Sequence, residues 1–452
     1  MLYPPLKKAE YIPISALSSS FFAPQKNKAN ASCFSILTPH IINSLTTEKK
    51  LHHVAFLHEE FPSGGAERVT IDVARFLAAK GVAVTIITSR ICRELIPEEF
   101  KEHGIEIYQV AHTHLQRRVD NIREMAALIE AQHIEALVFT RTFHHLPLLR
   151  RLCPQCRIVC VNHGMPFWEV QTISSGRRAK ALGGSWKHRL KWQLIYRHEA
   201  WCKRRLMKKY VRVYRQTIHD VDAYIVLCDA YRRQIINTLN LPAESVEASK
   251  VTAIENSCQL PQTVNTDKEK TVVYVGRVEF IDKRVDRLMR IWKRVCHEVP
   301  DWQLVIVGDG AYRAALEAEA QSLPRVSFVG QHSDVSPFYQ RAAILCLTSA
   351  VEAWGLCLME AQSYGVVPVA FDCSAGVHCL LDPSGVNGML VEDGDEEAYA
   401  QALLTLMRSP EKLKKMQQNV LRKAAAYDFR IMGQKWFELL QHLVESPSLH
   451  NK

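Results

Sequence analysis

The feature that most constrains this chain is an alternation that runs through it twice. From residue 51, apolar runs of strand length alternate with longer stretches whose apolar residues recur at helical spacing. Residues 53–58 predict a strand, the turn Ser63-Gly64-Gly65 follows, and 66–80 predict a helix with Val69, Val73, Ala74, Phe76 and Leu77 on one face. Gly81 stops that helix, and further strands are expected at 82–88, 105–110, 136–139, 158–162 and 224–228. The pattern restarts at 271–276 and continues with strands at 303–307, 326–329, 344–347 and 367–371. Strands alternating with helices require parallel βαβ units. The expected class is therefore α/β: two Rossmann-like, doubly wound domains facing across a cleft, with ligands outside the carboxyl ends of the strands. The polar stretch 259–270, with Pro261, reads as the linker. This divides the chain into domains at 51–262 and 268–425. Residues 426–452 are expected to form a helix that folds back on the first domain, followed by a tail, and residues 1–50 a poorly ordered leader.

Composition removes several classes. At 452 residues, with 47% hydrophobic and 23% charged residues, the chain has the balance of a globular protein. No apolar run reaches the ~18 residues of a membrane-crossing helix. The first fifty residues lack the apolar core and small-residue cleavage site of a signal peptide, so secretion is not expected and a cytoplasmic location is. Thirteen cysteines, an odd number spread over a long chain, point to reduced thiols. Cys153 and Cys156 have metal-ligand spacing with Cys160 nearby, but no second pair follows, so buried thiols are expected and no metal.

Three elements of the second half carry chemistry. Gly276-Arg277-Val278-Glu279-Phe280-Ile281-Asp282-Lys283 leaves a parallel strand, where a phosphate docks; Arg277 offers a planar fork and Lys283 a mobile point charge. Taken alone, two cations on a loop are more often solvated surface. Gly308-Asp309-Gly310 follows the next strand and allows close backbone approach, to a ligand or within a tight turn. The full dinucleotide fingerprint is missing, so no nicotinamide or flavin cofactor is expected. Glu352-Ala353-Trp354-Gly355-Leu356-Cys357-Leu358-Met359-Glu360 sets two carboxylates eight residues apart. With a helix starting near Gly355, the N–H groups of Gly355 and Leu356 become unpaired donors for an anion, and the carboxylates suit sugar or ribose hydroxyls. By spacing alone, a solvent-facing Glu and a mid-helix ion pair fit as well.

This ordered set, with Phe328-Val329-Gly330, Gly365 to Ala370, Asn387 to Val391 and Gly394-Asp395, resembles the donor domain of the retaining glycosyltransferases of family 4, of GT-B fold. Ser63 to Val69 resembles that family's acceptor-side glycine loop and Ile254-Glu255-Asn256 its pre-linker strand end, so the resemblance spans about 51–440. It implies transfer of a sugar from a nucleotide diphosphate sugar to a glycan or lipid-linked acceptor, with retained anomeric configuration and no metal or other cofactor. It further implies that Arg277 and Lys283 hold the diphosphate, Glu352 contacts the donor sugar and Glu360 the ribose. Gly276, Gly308, Gly310 and Gly330 would line the donor side together with Trp354, Gly355 and Leu356. His163, in Val161-Asn162-His163-Gly164, matches the family's histidine near the reacting sugar, and Gly64 and Gly65 would let the acceptor-side loop approach the donor. The chain departs from the family at Ala353 and Trp354, where Gly and Phe are common. It departs also at Arg284, which replaces a small residue, and at Ser374 to Cys379, which lack a Gly-Pro and an acid.

Between Arg177 and Arg215 lie fourteen Lys or Arg against the single acid Glu199, with Trp186, Leu190, Leu194 and Trp201 near helical spacing. A basic helix with tryptophan on its apolar side fits an anionic membrane surface. A core-facing stripe with a solvated cationic face fits the same pattern, and so does an acidic acceptor. No nucleic-acid module is present. Asp220-Val221-Asp222 mimics the acid-x-acid spacing of metal-dependent transferases but reads as helix-end punctuation. The other functional classes open at this point are a nucleotide-sugar epimerase on the same two-domain layout and a non-catalytic scaffold.

Overall fold

The computed structural model describes residues 50–62, 64–140, 143–170 and 199–446. The expected leader, Ser63, and the part of the basic stretch up to residue 198 lie outside the described residues.

Two all-parallel sheets carry the fold. The first has seven strands in the order β3-β2-β1-β4-β5-β6-β7. These are β1 His53–Phe61, β2 Ala83–Ile91, β3 Glu106–Gln109, β4 Ala136–Thr140, β5 Arg157–Asn162, β6 Ala223–Val226 and β7 Val251–Ala253. The second has six strands in the order β10-β9-β8-β11-β12-β13. These are β8 Thr271–Val275, β9 Gln303–Val307, β10 Val326–Gly330, β11 Ile344–Leu347, β12 Val367–Phe371 and β13 Met389–Val391. Each order reverses beside its first strand, the switch point at which such sheets open a crevice. β7 and β13, three residues each, are strands that the sequence pattern did not predict.

The order of the sheets follows from what their residues can bury. β1, β4, β5 and β6 are buried nearly throughout, as strands covered by helices on both faces must be. In the second half, the helix Val285–Val295 drives Leu288, Met289, Ile291, Trp292 and Val295 into the core on one face of its sheet. The helix Gly65–Ala79 does the same for the first half through Val69, Val73, Ala74 and Leu77.

Three features join the halves. The linker end Cys258 pairs with the returning chain: its N–H donates to Tyr427 O at 2.9 Å and its carbonyl accepts from Phe429 N at 3.0 Å. The helix Phe429–Glu445 then packs on the Gly65–Ala79 helix, with Trp436, Leu440 and Val444 in the first half's core. From the other side Tyr231, buried on the helix Asp229–Leu239, donates its hydroxyl to Ala353 O at 2.7 Å and accepts from Gly376 N at 3.2 Å. Gly433 is where the returning helix crosses Phe76; a Cβ there would lie 2.3 Å from the ring. Replacing Gly433 by Ala is therefore expected to cost about 1–3 kcal/mol by overpacking, read as an earlier midpoint in chemical denaturation. Unchanged stability would mean that the returning helix is not seated on Phe76.

Candidate active site

The strand-end loops of the second half are held on one another by backbone. Gly276 N donates to Val307 O at 3.0 Å, Val278 N to Asp309 O at 2.9 Å and Gly308 N to Gly330 O at 2.7 Å. A Cβ on Gly308 would lie 1.9 Å from Gly276 O, and one on Gly310 would lie 2.3 Å from Val278 O. These two glycines thus serve the packing of loop on loop, whatever else the loops hold.

The loop after β8 is stitched to the loop after β11. Ala350 N donates to Asp282 O at 2.8 Å, and the Thr348 hydroxyl to Arg284 O at 3.1 Å. This brings Lys283 Nζ to 2.5 Å from Glu352 Oε2, both side chains mostly buried. Burial pulls the Lys283 ammonium down, but the facing Glu352 carboxylate outweighs it and holds the group above its usual pKa. Arg284 sits in the left-handed region at φ 48°, forked onto Asp286 and lying over the Phe280 ring. That backbone is one a glycine adopts freely and a residue with a side chain adopts rarely.

Gly355, at φ 83°, begins the helix Leu356–Ser363 with no side-chain cap, so its first N–H groups stay available. Across from it, Gly64 begins the helix Gly65–Ala79, also without a side-chain cap. A Cβ on Gly65 would lie 3.0 Å from Leu356 Cδ1. The two helix starts therefore meet where the halves meet, with Lys283 and Glu352 alongside. Both are positive ends of helix dipoles.

Behind Gly64, Glu67 meets the buried His58 ring, whose Nδ1 lies 3.2 Å from Glu67 Oε1 and whose Nε2 lies 2.9 Å from the Thr70 hydroxyl. His163, at the end of β5, donates from Nδ1 to Asn256 Oδ1 at 3.2 Å, which leaves Nε2 as an acceptor on the neutral ring. A space of about 10 Å³, room for one water, joins His58, Thr70 and His163. Burial, helped by the nearby His58, lowers the His163 pKa from 6.5 to about 4 against the opposing Asn256 bond and Glu67. His163 is neutral at physiological pH.

Arg277 and Glu360 take other partners. Arg277, exposed, pairs with Glu279 at 2.7 Å, although its charge still reaches Lys283. Glu360 accepts from Arg68 Nη1 of the first half at 2.8 Å and from the Tyr339 hydroxyl at 3.1 Å. A cavity of about 320 Å³ opens beside this pair, lined by Arg68, Asp72 and Arg75 from one half and Ser336, Tyr339 and Glu360 from the other. Its lining does not include Lys283 or Glu352. Arg68 carries no signal beyond its place in the glycine-loop motif: an exposed Arg on a helix looks like solubility. Tyr339 was silent too, and Asn256 was marked only as part of the pre-linker strand end.

Trp354 is corrected by the structure. Its side chain is 2% exposed, its indole N–H meets Met359 Sδ at 2.9 Å, and it lies edge-on to Tyr427. The ring supports the loop from below and does not face the cleft with the other donor-side residues. The departure at 374–379 has a local reading too: Ser374 caps the helix Ala375–Leu381, and Gly376 lets that helix press on Ala353 O.

The remaining motifs are structural. Asp222, buried, accepts from Arg150 at 2.7 Å and Ile158 N at 2.7 Å. Cys153 and Cys156 are buried in the core, with burial pushing Cys153 up to about 11 and Cys156 further up. Among the described residues no group of three or more His, Cys, Asp or Glu is placed to hold a metal ion.

The His163 geometry carries a pH prediction. A histidine whose folded pKa lies below its unfolded value stabilises the fold fully above about pH 6.5, and that stability is lost as pH falls from there towards 4. Replacing His163 with Gln should flatten the fall in melting temperature across that window relative to the parent chain. Parallel profiles would show that the ring is not buried neutral.

Comparison with known proteins agrees with this architecture. Residues 63–256 match the family model described as Glycosyltransferase Family 4, and residues 269–409 match that of Glycosyl transferases group 1. The chain is 35% identical over 147 residues to an uncharacterized glycosyltransferase of Haemophilus influenzae, covering 32% of this chain and 41% of that one. It is 27% identical over 184 residues to a lipopolysaccharide 1,6-galactosyltransferase of Salmonella typhimurium, covering 38% and 49%. The chain thus spans about half the length, or less, of these curated relatives. Among solved structures, the lipopolysaccharide outer core galactosyltransferase WaaB superposes with a TM-score of 0.58 at 18% identity, over 85% of this chain and 98% of that one. Anabaena HepE, solved with UDP-glucose, superposes with a TM-score of 0.62 at 16% identity, over 86% and 99%. Two family models in chain order, on two sheets arranged as in these structures, establish that the chain belongs to glycosyltransferase family 4 and has the GT-B fold.

Proposed function

We propose that the protein transfers a sugar from a nucleotide diphosphate sugar to a glycan or lipid-linked acceptor, with retention, in surface polysaccharide or lipopolysaccharide synthesis. The observation that carries this reading is the Lys283–Glu352 pair lying beside two uncapped helix starts at the junction of the halves. Breaking a glycosidic bond to a diphosphate leaves negative charge on the departing oxygens. Fixed cations and N–H dipoles aimed there lower the barrier because they need no reorganisation as the charge grows. Lys283, Arg277 and the amides of Gly355 and Leu356 supply that charge. Glu352 contacts the donor sugar, Glu360 the ribose, and the loops at Gly308, Gly310 and Gly330 the base. The first half, with Gly64, Gly65 and His163, receives the acceptor, and His163 offers Nε2 to a hydroxyl. Names of relatives support the acceptor class: an amylovoran biosynthesis glycosyltransferase of Erwinia amylovora is 28% identical over 189 residues.

The helix Glu199–Asp220 divides its faces cleanly. Leu206, Met207, Tyr210, Val211 and Tyr214 pack on the first half's core, and Lys203, Arg204, Arg205, Lys208, Lys209 and Arg212 are exposed. In the described part of the basic stretch the apolar stripe is core and the cations form the outer face. This face meets the anionic inner leaflet of the cell membrane, each cation contributing about 1 kcal/mol near the surface. No described helix is long and apolar enough to cross a membrane. The described cysteines are all free thiols, which supports a cytoplasmic site of action.

Two outcomes test these readings. In a thermal-shift panel of nucleoside diphosphates and nucleotide sugars, at least one should raise the melting temperature. Replacing Lys283 with Ala, or Glu360 with Gln, should lower transfer by about 10²-fold or more with the circular dichroism spectrum unchanged. Turnover at the parent rate in either variant sinks the site assignment. Separately, the protein should sediment with phosphatidylglycerol vesicles at low salt and release as ionic strength rises. Changing Lys208, Lys209 and Arg212 to Glu should abolish that sedimentation; if it persists, this face is not the contact.

A further inference from the structure

In the loop that follows β5, three hydrogen bonds converge on one hydroxyl. Tyr214 Oη accepts from Phe167 N at 3.1 Å and from the Asn162 side-chain amide at 3.4 Å, and donates to Glu169 Oε2 at 3.3 Å. The Tyr214 ring stacks on Phe167 with centroids 4.5 Å apart and 28° between planes. Asn162 Oδ1 accepts from Gly164 N at 3.0 Å. Phe167 itself is in the left-handed region at φ 61°, a conformation that a bulky L residue keeps only where its surroundings impose it.

What this loop holds outwards is Trp168. Its side chain is 36% exposed, whereas the other tryptophans with described side chains, Trp292, Trp302, Trp354 and Trp436, are all buried. A single exposed apolar residue needs no explanation. This one is set in place: its pyrrole edge lies against Gly164, where a Cβ would come within 2.8 Å of Cδ1 and 3.1 Å of Nε1. Gly164 directly follows His163. An exposed indole is therefore fixed beside the histidine at the carboxyl end of the first sheet.

We propose that Trp168 is the platform on which a pyranose ring of the acceptor glycan stacks, with Glu169 and His163 at its margin to bond the ring's hydroxyls. A pyranose presents a face of C–H bonds whose positive edges suit the negative face of an aromatic ring, and its hydroxyls point sideways to polar neighbours. Indole offers the widest such face. The fixed backbone matters because a platform that need not be ordered on binding loses less affinity to conformational entropy. Tyr214 is then a positioning residue: it touches no sugar and acts through Phe167 and Glu169.

The proposal rests on the first half being the acceptor side, and its test is separable from that of the donor site. The full chain is labelled with 5-fluorotryptophan, and the Trp168 signal is assigned as the fluorine resonance missing from the Trp168→Phe variant. The probes are methyl α- and β-glycosides of glucose, galactose, mannose and N-acetylglucosamine. At least one should shift the Trp168 signal saturably at millimolar concentration. By isothermal titration, Trp168→Ala should weaken binding of that glycoside about tenfold or more, which is 1.4 kcal/mol. Trp168→Phe should restore it to within a few-fold, a rescue that a merely structural role would not give. The melting-temperature rise produced by whichever nucleoside diphosphate of the panel stabilises the parent should be equal in the parent and both variants. The proposal is overturned if no glycoside moves the signal at tens of millimolar, or if Trp168→Ala binds as tightly as the parent. A nucleotide shift that survives such a result leaves the donor site standing, and stacking with no shift from any member of the nucleotide panel would overturn the donor site alone.

Discussion

A buried ammonium next to a buried carboxylate is the constraint around which the second half is arranged. Lys283 and Glu352 come from loops after β8 and β11, adjacent strands, and each would be costly to bury alone. The bonds from the Ala350 N–H to Asp282 O and from the Thr348 hydroxyl to Arg284 O fix the distance between them. The neighbouring charges follow the same logic: Arg277 is balanced by Glu279, and Glu360 by Arg68. On the proposed function, an incoming diphosphate would meet cations that already have carboxylate partners. What it gains is the difference between phosphate and carboxylate as partners, together with the helix amides that no side chain caps. That difference is largest when charge on the phosphate grows, which is the condition for accelerating bond breaking more than binding.

The second constraint is that the two halves must meet at their helix starts. Gly65 against Leu356 permits no side chain between them, Tyr231 ties the first half to Ala353 and Gly376, and the returning helix closes on Phe76 through Gly433. Tyr231 is buried and bonds backbone on both sides of the Trp354 loop, so it sets the height of the Glu352 loop relative to the first sheet. Arg68 makes the corresponding contact at Glu360. Of the two, Tyr231 is the fixed one, being buried, and Arg68 is the exposed one that a competing partner reaches most easily.

The parts of the fold legible in the sequence were those whose physics is periodic. Buried parallel strands read as apolar runs and their helices as one-sided stripes, so both sheets, their order of appearance and the strand-end loops were visible. β7 and β13 were not, because three residues cannot show a period of two. The donor loops were visible because glycines between a strand and a helix have few other uses, though at Gly308 and Gly310 the use shown is loop packing. Trp354 was misread because an aromatic residue after an acid looks the same whether it faces a cleft or the core. Only the tertiary neighbours Met359, Tyr427 and the helix at Gly376 decide it. Arg68 and Tyr231 were invisible for the opposite reason: each is an ordinary helical residue whose role exists only when the other half is in place.

The helix Glu199–Asp220 shows how one element can serve two surfaces without conflict. Its inner face carries Tyr214, which sets the loop bearing Phe167, Trp168 and Glu169, and its outer face carries cations. A helix rotated by one residue, about 100°, would move Tyr214 off its three partners and turn cations towards the core. Tyr214 is thus the register mark of the helix as well as the anchor of the loop. The same rotation fixes which cations face outwards. The proposed recognition of an anionic surface and the presentation of the strand-end loop would be coupled by geometry alone: whatever oriented the cationic face towards a membrane would also orient the loop beside His163. For a lipid-linked acceptor of the kind proposed, this arrangement would shorten the search, because the lipid anchor and the sugar to be extended would arrive at two faces of one helix.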